Sequence, residues 1–175
     1  FDQGRMFDEV CDYFDWAYIG RLPLTSSSVC INKTSIINAG CFPVGIRMGE
    51  DQLLWARLAY TCKIMFITEV LAFYVMEDEN SATKVEDKGV VLPHINELEK
   101  DLVKGVVPNI YIDSLRRYIN KNRCYSCVVA SLNGDRSSAL RIFYGVKFYF
   151  DKYWLASLLS VVLPRKITKR VFGNI

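Results

Sequence analysis

Between residues 4 and 18 apolar side chains recur at Met6, Phe7, Val10, Cys11, Phe14 and Ala17, with Asp8, Glu9, Asp12 and Asp15 between them. Steps of three and four put the apolar set on one stripe, which predicts an amphipathic helix ended by Gly20 and Pro23. Ser26-Ser27-Ser28-Val29-Cys30-Ile31 predicts a short strand whose small residues leave room for another chain or a ligand. Asn32-Lys33-Thr34 opens a short helix ending at Gly40, and a loop then runs through Phe42, Pro43 and Gly45 to Gly49. From Glu50 the spacing of Leu53, Leu54, Arg57, Leu58 and Thr61 is helical again, with Trp55 and Ala59 alongside. Residues 64–76 are β-branched and aromatic, divided at Thr68-Glu69 into two expected strands. From Glu77 to Lys88 Val85 is the one large apolar residue, so a loop is expected.

Beyond residue 90 the pattern is helical throughout. Helices are expected near 93–104, from 108 to about 131, from about 136 to 150, and from 151 to 163, where Pro164 stops the last. Asn133-Gly134-Asp135 offers a glycine C-cap followed by an aspartate N-cap. That helix–turn–helix unit occurs once, so no solenoid is expected. The fold class read from this order is α+β and helix-rich. Residues 1–88 form a mixed part and residues 89–175 a helical C-terminal region.

Composition sharpens this picture in two ways. Apolar residues make up 51% of the 175, enough for a core and too many for a disordered chain. The longest uncharged apolar run, Trp154 to Leu163, has ten residues, where a spanning helix needs about twenty, so none is expected. The pattern is already under way at Phe1, with no basic-then-apolar leader, so the expectation is that a segment was removed or that the chain is a piece of a longer protein.

The net charge of +3 conceals an asymmetry. Residues 1–100 hold 9 Lys+Arg against 15 Asp+Glu, and residues 101–175 hold 13 against 4. An acidic first part suits a cation or a hydroxyl-bearing substrate, and a basic second part suits phosphates or anionic lipid. Long basic side chains that merely solvate helix faces would give the same count.

Of the six cysteines, Cys11, Cys30, Cys41, Cys62, Cys124 and Cys127, one pair has the CxxC form, Cys124-Tyr125-Ser126-Cys127. Zinc needs a second pair or histidines, and His94 is the single histidine, far away in sequence. A redox pair would sit at a helix start after a strand, which does not precede it here. Buried thiols in a reducing, cytoplasmic compartment are expected.

The stretch richest in candidate chemistry runs from Thr25 to Ala59. It ends with two adjacent acids, Glu50 and Asp51, on the first turn of a helix behind a glycine-rich loop. Acids there stabilise a helix end through the macrodipole. A carboxylate at the mouth of such a loop is also placed to serve as a general base.

In its ordered set of Gly40, Phe42, Glu50, Asp51, Trp55, Arg57, Leu58 and Ala59, this stretch resembles the acceptor-side half of a family 2 glycosyltransferase with a GT-A fold. Tyr74 and Asn80-Ser81 match the strand and polar loop that follow in that family, and the likeness covers about residues 5–85. The resemblance implies a partial GT-A-like α/β portion followed by a C-terminal helical bundle. It also implies inverting transfer of a sugar from a nucleotide-sugar donor to a hydroxyl acceptor, of the kind used in bacterial surface polysaccharide synthesis. Asp51 would be the general base, a role typically worth about 10²–10⁴-fold in rate. Glu50 would contact the acceptor or raise the proton affinity of Asp51 by like-charge repulsion. Ser26, Ser27 and Ser28 would line the pocket near the donor sugar or face a neighbouring strand. Arg57 belongs to the same set, and Trp55 reads as a core anchor or as a sugar-stacking platform.

The departures bear on activity. The donor half of such enzymes supplies nucleotide-binding βα units and an Asp-x-Asp motif for Mg²⁺ or Mn²⁺; Asp12-Tyr13-Phe14-Asp15 has the wrong spacing for it. A divalent cation is thus expected for the complete enzyme, with ligands mostly outside this chain, and the chain alone is expected to be inactive. Residues 76–83 place three acids where many relatives have a His or Arg, and Gln52-Leu53-Leu54-Trp55 does not fit the signature of processive relatives, so single addition is expected.

The tail offers another function. Trp154 to Leu163 is apolar around most of its circumference, and Arg165, Lys166, Lys169 and Arg170 follow directly. Residues 154–170 therefore suit an anionic membrane surface beside a lipid-linked glycan acceptor, or pack on the domain with a solvated basic end. The expected location is cytoplasmic, with the inner face of the cell membrane as the place the tail opens to it. No nucleic-acid motif is present, and a missing half would leave apolar surface that favours homo-oligomers. The competing class is a non-catalytic helical module for protein interaction or membrane-surface binding.

Overall fold

The computed structural model describes residues 7–10, 12–20, 24–46, 48–67, 69–73 and 90–173. Two strands, β1 (Phe7–Val10) and β2 (Ile64–Ile67), and eight α-helices lie among them. The helices are α1 (Tyr13–Tyr18), α2 (Lys33–Asn38), α3 (Glu50–Thr61), α4 (Pro93–Val103), α5 (Ile112–Asn133), α6 (Arg136–Tyr144), α7 (Lys152–Val162) and α8 (Arg165–Phe172). A 3₁₀ turn, Asn109–Tyr111, leads into α5. The fold is helix-rich, as the pattern predicts. Strand among the described residues is confined to one antiparallel ribbon in which Phe7 faces Ile67 and Val10 faces Ile64. The chain divides into two compact units, one of residues 1–78 with 92–118 and the other of 79–91 with 119–175, so the division falls inside α5.

The first unit is built around α3 and α1. Six residues of α3, Leu53, Leu54, Trp55, Ala56, Leu58 and Ala59, are buried, so the helix is enclosed on most sides. Phe14 on α1 is fully buried, with the rings of Tyr13, Tyr60, Tyr111 and Tyr118 within 6.3 Å of its own. Burying a Phe side chain contributes about 1.5–3 kcal/mol. Across from α3, α4 contributes Ile95 and Leu98 to the core. The Arg57 guanidinium donates twice to Asp101 of α4, from Nε at 2.9 Å and from a terminal nitrogen at 3.1 Å.

Small residues knit the second unit. Cys127 and Ala130 of α5, Ala139 of α6 and Val161 of α7 form its core, flanked by Ile142 and Phe143. The buried Ser131 hydroxyl donates to Ser160 Oγ at 3.4 Å, and Ser160 in turn to the Ser157 carbonyl at 2.8 Å, so the polar groups are satisfied within the helix contact. The turn between α5 and α6 follows the sequence: Gly134 has φ 87° and Asp135 caps α6 through the Ser138 N–H.

Several expectations are corrected. The helix expected over 4–18 is reduced to α1, because Asp12 accepts from the N–H groups of Phe14 and Asp15 and starts the helix there, while residues 7–10 pair with β2. Residues 26–31 form no strand; the Ser28 N–H bonds to the Thr25 carbonyl and closes a turn. The first of the two strands expected over 64–76 is β2; residues 70–73 are not strand, and 74–76 lie outside the described residues, as do Cys11, Thr68, Asn80, Ser81 and the loop expected from Glu77 to Lys88. The helix expected to reach residue 150 ends at Tyr144, where Gly145 caps it. Pro164 ends α7 but also begins α8, which the pattern did not predict. No parallel, helix-flanked sheet is present among the described residues.

Candidate functional site

The site lies in the first unit, at the start of α3. Gly49 adopts φ 80°, a left-handed conformation, and its side-chain-free position begins the helix without a side-chain cap. Glu50 and Asp51 follow on the first turn, both partly buried. Asp51 is held through both oxygens. Oδ1 accepts the Gln52 N–H at 2.7 Å, and Oδ2 accepts the Ser26 hydroxyl at 3.2 Å. The first bond is the helix-end stabilisation that acids at this position provide. The second joins the serine turn to the acid across 25 residues of chain.

Of the serines, Ser26 alone is joined to the acid by a hydrogen bond among those described. Ser28 bonds instead to the Thr25 hydroxyl at 2.7 Å, and Ser27 is exposed beside them. Trp55 is buried with its ring edge-on to Phe42 at 5.9 Å, so it anchors the core. Arg57 is committed to Asp101, whose hydrogen bonds raise its pKa above the ordinary arginine value. A sugar would have to displace that pair to use it.

Two residues near Asp51 were not singled out from sequence. His94, on the first turn of α4, is fully buried and packs against Gly49. Its ring nitrogens make no side-chain hydrogen bond among the described residues, and the Met48 backbone is the polar group that favours its charged form. Burial lowers its pKa to about 4, although the Asp51 charge pulls the other way. Tyr13 is also buried with an unpartnered hydroxyl, and its pKa is raised by burial first and then by Tyr118 and Asp51. Tyr118 donates to Gln52 Oε1 at 2.9 Å, next along the chain from the acid. The carboxylate thus accepts from the Ser26 hydroxyl, and its charge acts on a buried, neutral imidazole and phenol. Such a group can take a proton from a bound hydroxyl.

The described residues do not fit a divalent cation. No group of three or more His, Cys, Asp or Glu side chains is close enough to hold one among them. Asp12 is spent on capping α1, and Asp15 pairs with Arg117 at 2.7 Å. The thiols divide: Cys124 and Cys127 are buried as expected, whereas Cys30 and Cys41 are exposed. Among the described residues no helix is long and apolar enough to cross a membrane. Compared with protein-family models, curated proteins and solved structures, the chain matches none.

Proposed function

We propose that the first unit carries the acceptor side of an inverting glycosyl transfer, with Asp51 as general base. The observation that supports this is the Asp51 carboxylate fixed by the Ser26 hydroxyl and the Gln52 N–H at the mouth of the loop ending in Gly49. In the step, the acceptor hydroxyl oxygen bonds to the anomeric carbon while its proton passes to Asp51. The bond from that carbon to the diphosphate breaks on the opposite face, and the nucleoside diphosphate leaves with the electron pair. Glu50 lies beside the base on the first turn of α3, where it would contact the acceptor. A metal-bearing donor half, a glycan or lipid-linked acceptor and self-association belong to the same proposal, as does a cytoplasmic place at the inner membrane face.

The test is Asp51→Asn in the native protein purified from its source cells. Transfer of labelled sugar from a nucleotide-sugar pool to a hydroxyl acceptor is expected to fall by about 10²–10⁴-fold with donor KM unaltered. Unchanged turnover would remove Asp51 from the chemistry.

One observation favours a second reading, in which the second unit is a membrane-surface module. Its described residues contain ten Lys and Arg and two acids, Asp135 and Asp151, and both acids are engaged in capping helices. Basic side chains outnumber acids five to one among these residues, so an extended anionic surface complements them.

A further inference from the structure

Three aromatic rings at the end of α6 and just beyond it are left in solvent. Tyr144 is 86%, Phe148 67% and Phe150 98% exposed. They stand on a turn that the fold holds in place. The buried Asn120 amide brackets Lys147, accepting its N–H at 2.7 Å and donating to its carbonyl at 3.1 Å. Phe148 packs edge-on against Trp154, ring centroids 4.7 Å apart. The Asp151 N–H bonds to the Tyr149 carbonyl at 2.8 Å, and its carboxylate caps α7 through the Trp154 N–H at 2.7 Å. Rings presented on a turn fixed this way lose little entropy when they are buried.

Cations accompany the rings. Lys147 sits on the turn itself, and the ammonium groups of Lys121 and Lys152 lie 5.3 and 5.2 Å from the ring of Tyr153. Burial, and then the Lys152 charge, hold the Lys121 ammonium below its ordinary pKa, so an anion near the two would relieve their repulsion. We propose that the turn of residues 144–150, with Lys147, Lys121 and Lys152 beside it, docks the second unit on an anionic lipid bilayer. The rings enter the interface, and the lysines meet headgroup phosphates. This inference rests on the membrane-surface reading of the second unit, is independent of Asp51, and moves the contact from residues 154–170 to the turn before α7.

Charge decides the occupant. A second copy docked by the same patch would set lysine against lysine, a repulsive pairing. Among the described residues of the second unit the acids are Asp135 and Asp151, both spent on helix caps, so exposed rings with lysines beside them match an anionic interface, where rings bury and ammonium groups find phosphate.

The test is sedimentation of the 175-residue chain with vesicles of phosphatidylcholine alone and of an equimolar mixture with phosphatidylglycerol. Binding is expected to the mixed vesicles alone and to weaken with salt. Tyr144→Ser with Phe150→Ser, both at solvent-facing rings, is expected to lower partitioning by about tenfold or more per ring, with far-ultraviolet circular dichroism unchanged. Lys147→Gln and Lys152→Gln are each expected to cost about fivefold. Ile167→Ser with Val171→Ser on α8 is expected to leave binding unaltered. Loss of binding in the α8 pair with retention in the turn pair overturns the proposal but keeps the membrane-surface reading. Binding to neither vesicle overturns both. A concentration-dependent dimer that the turn pair abolishes makes a second copy the occupant, and likewise overturns it.

Discussion

Gly49 and His94 occupy each other's space so closely that a Cβ built on the glycine would overlap the imidazole, lying 2.7 Å from both its Cε1 and Cγ. The contact joins the mouth of the candidate site to the first turn of α4. Two separate costs then attach to Gly49→Ala. The φ of 80° disfavours any L side chain by about 1–2 kcal/mol, and the clash with a ring that is fully buried adds to it. The substitution is expected to destabilise the chain by about 3 kcal/mol or more in urea unfolding. In a His94→Ala background its cost is expected to shrink to the conformational part, about 1–2 kcal/mol. Equal costs in the two backgrounds would show that the ring is not the obstacle.

The Arg57–Asp101 pair makes a second prediction. Asp101 is buried and its two oxygens take two guanidinium hydrogen bonds, a fork that lysine cannot reproduce. Removing Arg57 strands a buried carboxylate, at a cost of about 1–3 kcal/mol because the Arg57 side chain itself is a quarter exposed. Arg57→Lys is therefore expected to behave more like Arg57→Ala than like wild type. The single and double variants with Asp101→Asn should show a coupling in a double-mutant cycle; additivity would sink the assignment.

How far the fold could be read from sequence depends on where local signals agreed with tertiary contacts. Helices α2 to α5 and α7 carry their spacing in the chain, and some ends carry their caps: Asn32 caps α2, Asp151 caps α7, and Gly134 with Asp135 turns α5 into α6. Residues 7–10 obey helical spacing yet pair with β2, a partner more than fifty residues away that no local pattern announces. Residues 26–31 have strand composition, but the Thr25 and Ser28 side chains bond to each other and favour a turn. At the site, Glu50 and Asp51 were visible because they adjoin. His94 and Tyr13 come within range of the Asp51 charge only through packing of α4 and α1, and the single signal for His94 is that it is the only histidine.

The thiols divide by burial, and labelling should follow. Desolvation pushes Cys124 and Cys127 up to about 11, so almost no thiolate exists at neutral pH. Cys30 and Cys41 are exposed. With a disulfide reagent at neutral pH, native protein is expected to modify Cys30 and Cys41 in the fast phase. Cys124 and Cys127 are expected to react only after urea unfolding. Mass mapping of the labelled peptides checks this, and early labelling of Cys127 would contradict a closed core in the second unit.

Acid should weaken the first unit through His94 before it reaches the carboxylates. In the unfolded chain this histidine takes a proton as pH falls through about 6.5. In the folded chain burial delays protonation to about pH 4. Between those values the unfolded state holds more protons, so stability is full above the unfolded value and declines as pH falls. By pH 5 the loss from this group alone is about 2 kcal/mol. Carboxylates held low by their partners, Glu97 by Lys100 and Asp135 by Ser138 and Ser137, lose their contribution at lower pH, so the interval from pH 7 to pH 5 isolates the histidine. Urea midpoints measured across that interval should drop for wild type and stay nearly level for His94→Leu, which fills similar volume without a titrating group. A wild-type midpoint that holds steady or rises on acidification would mean that the Asp51 charge and the Met48 backbone outweigh burial at the His94 ring.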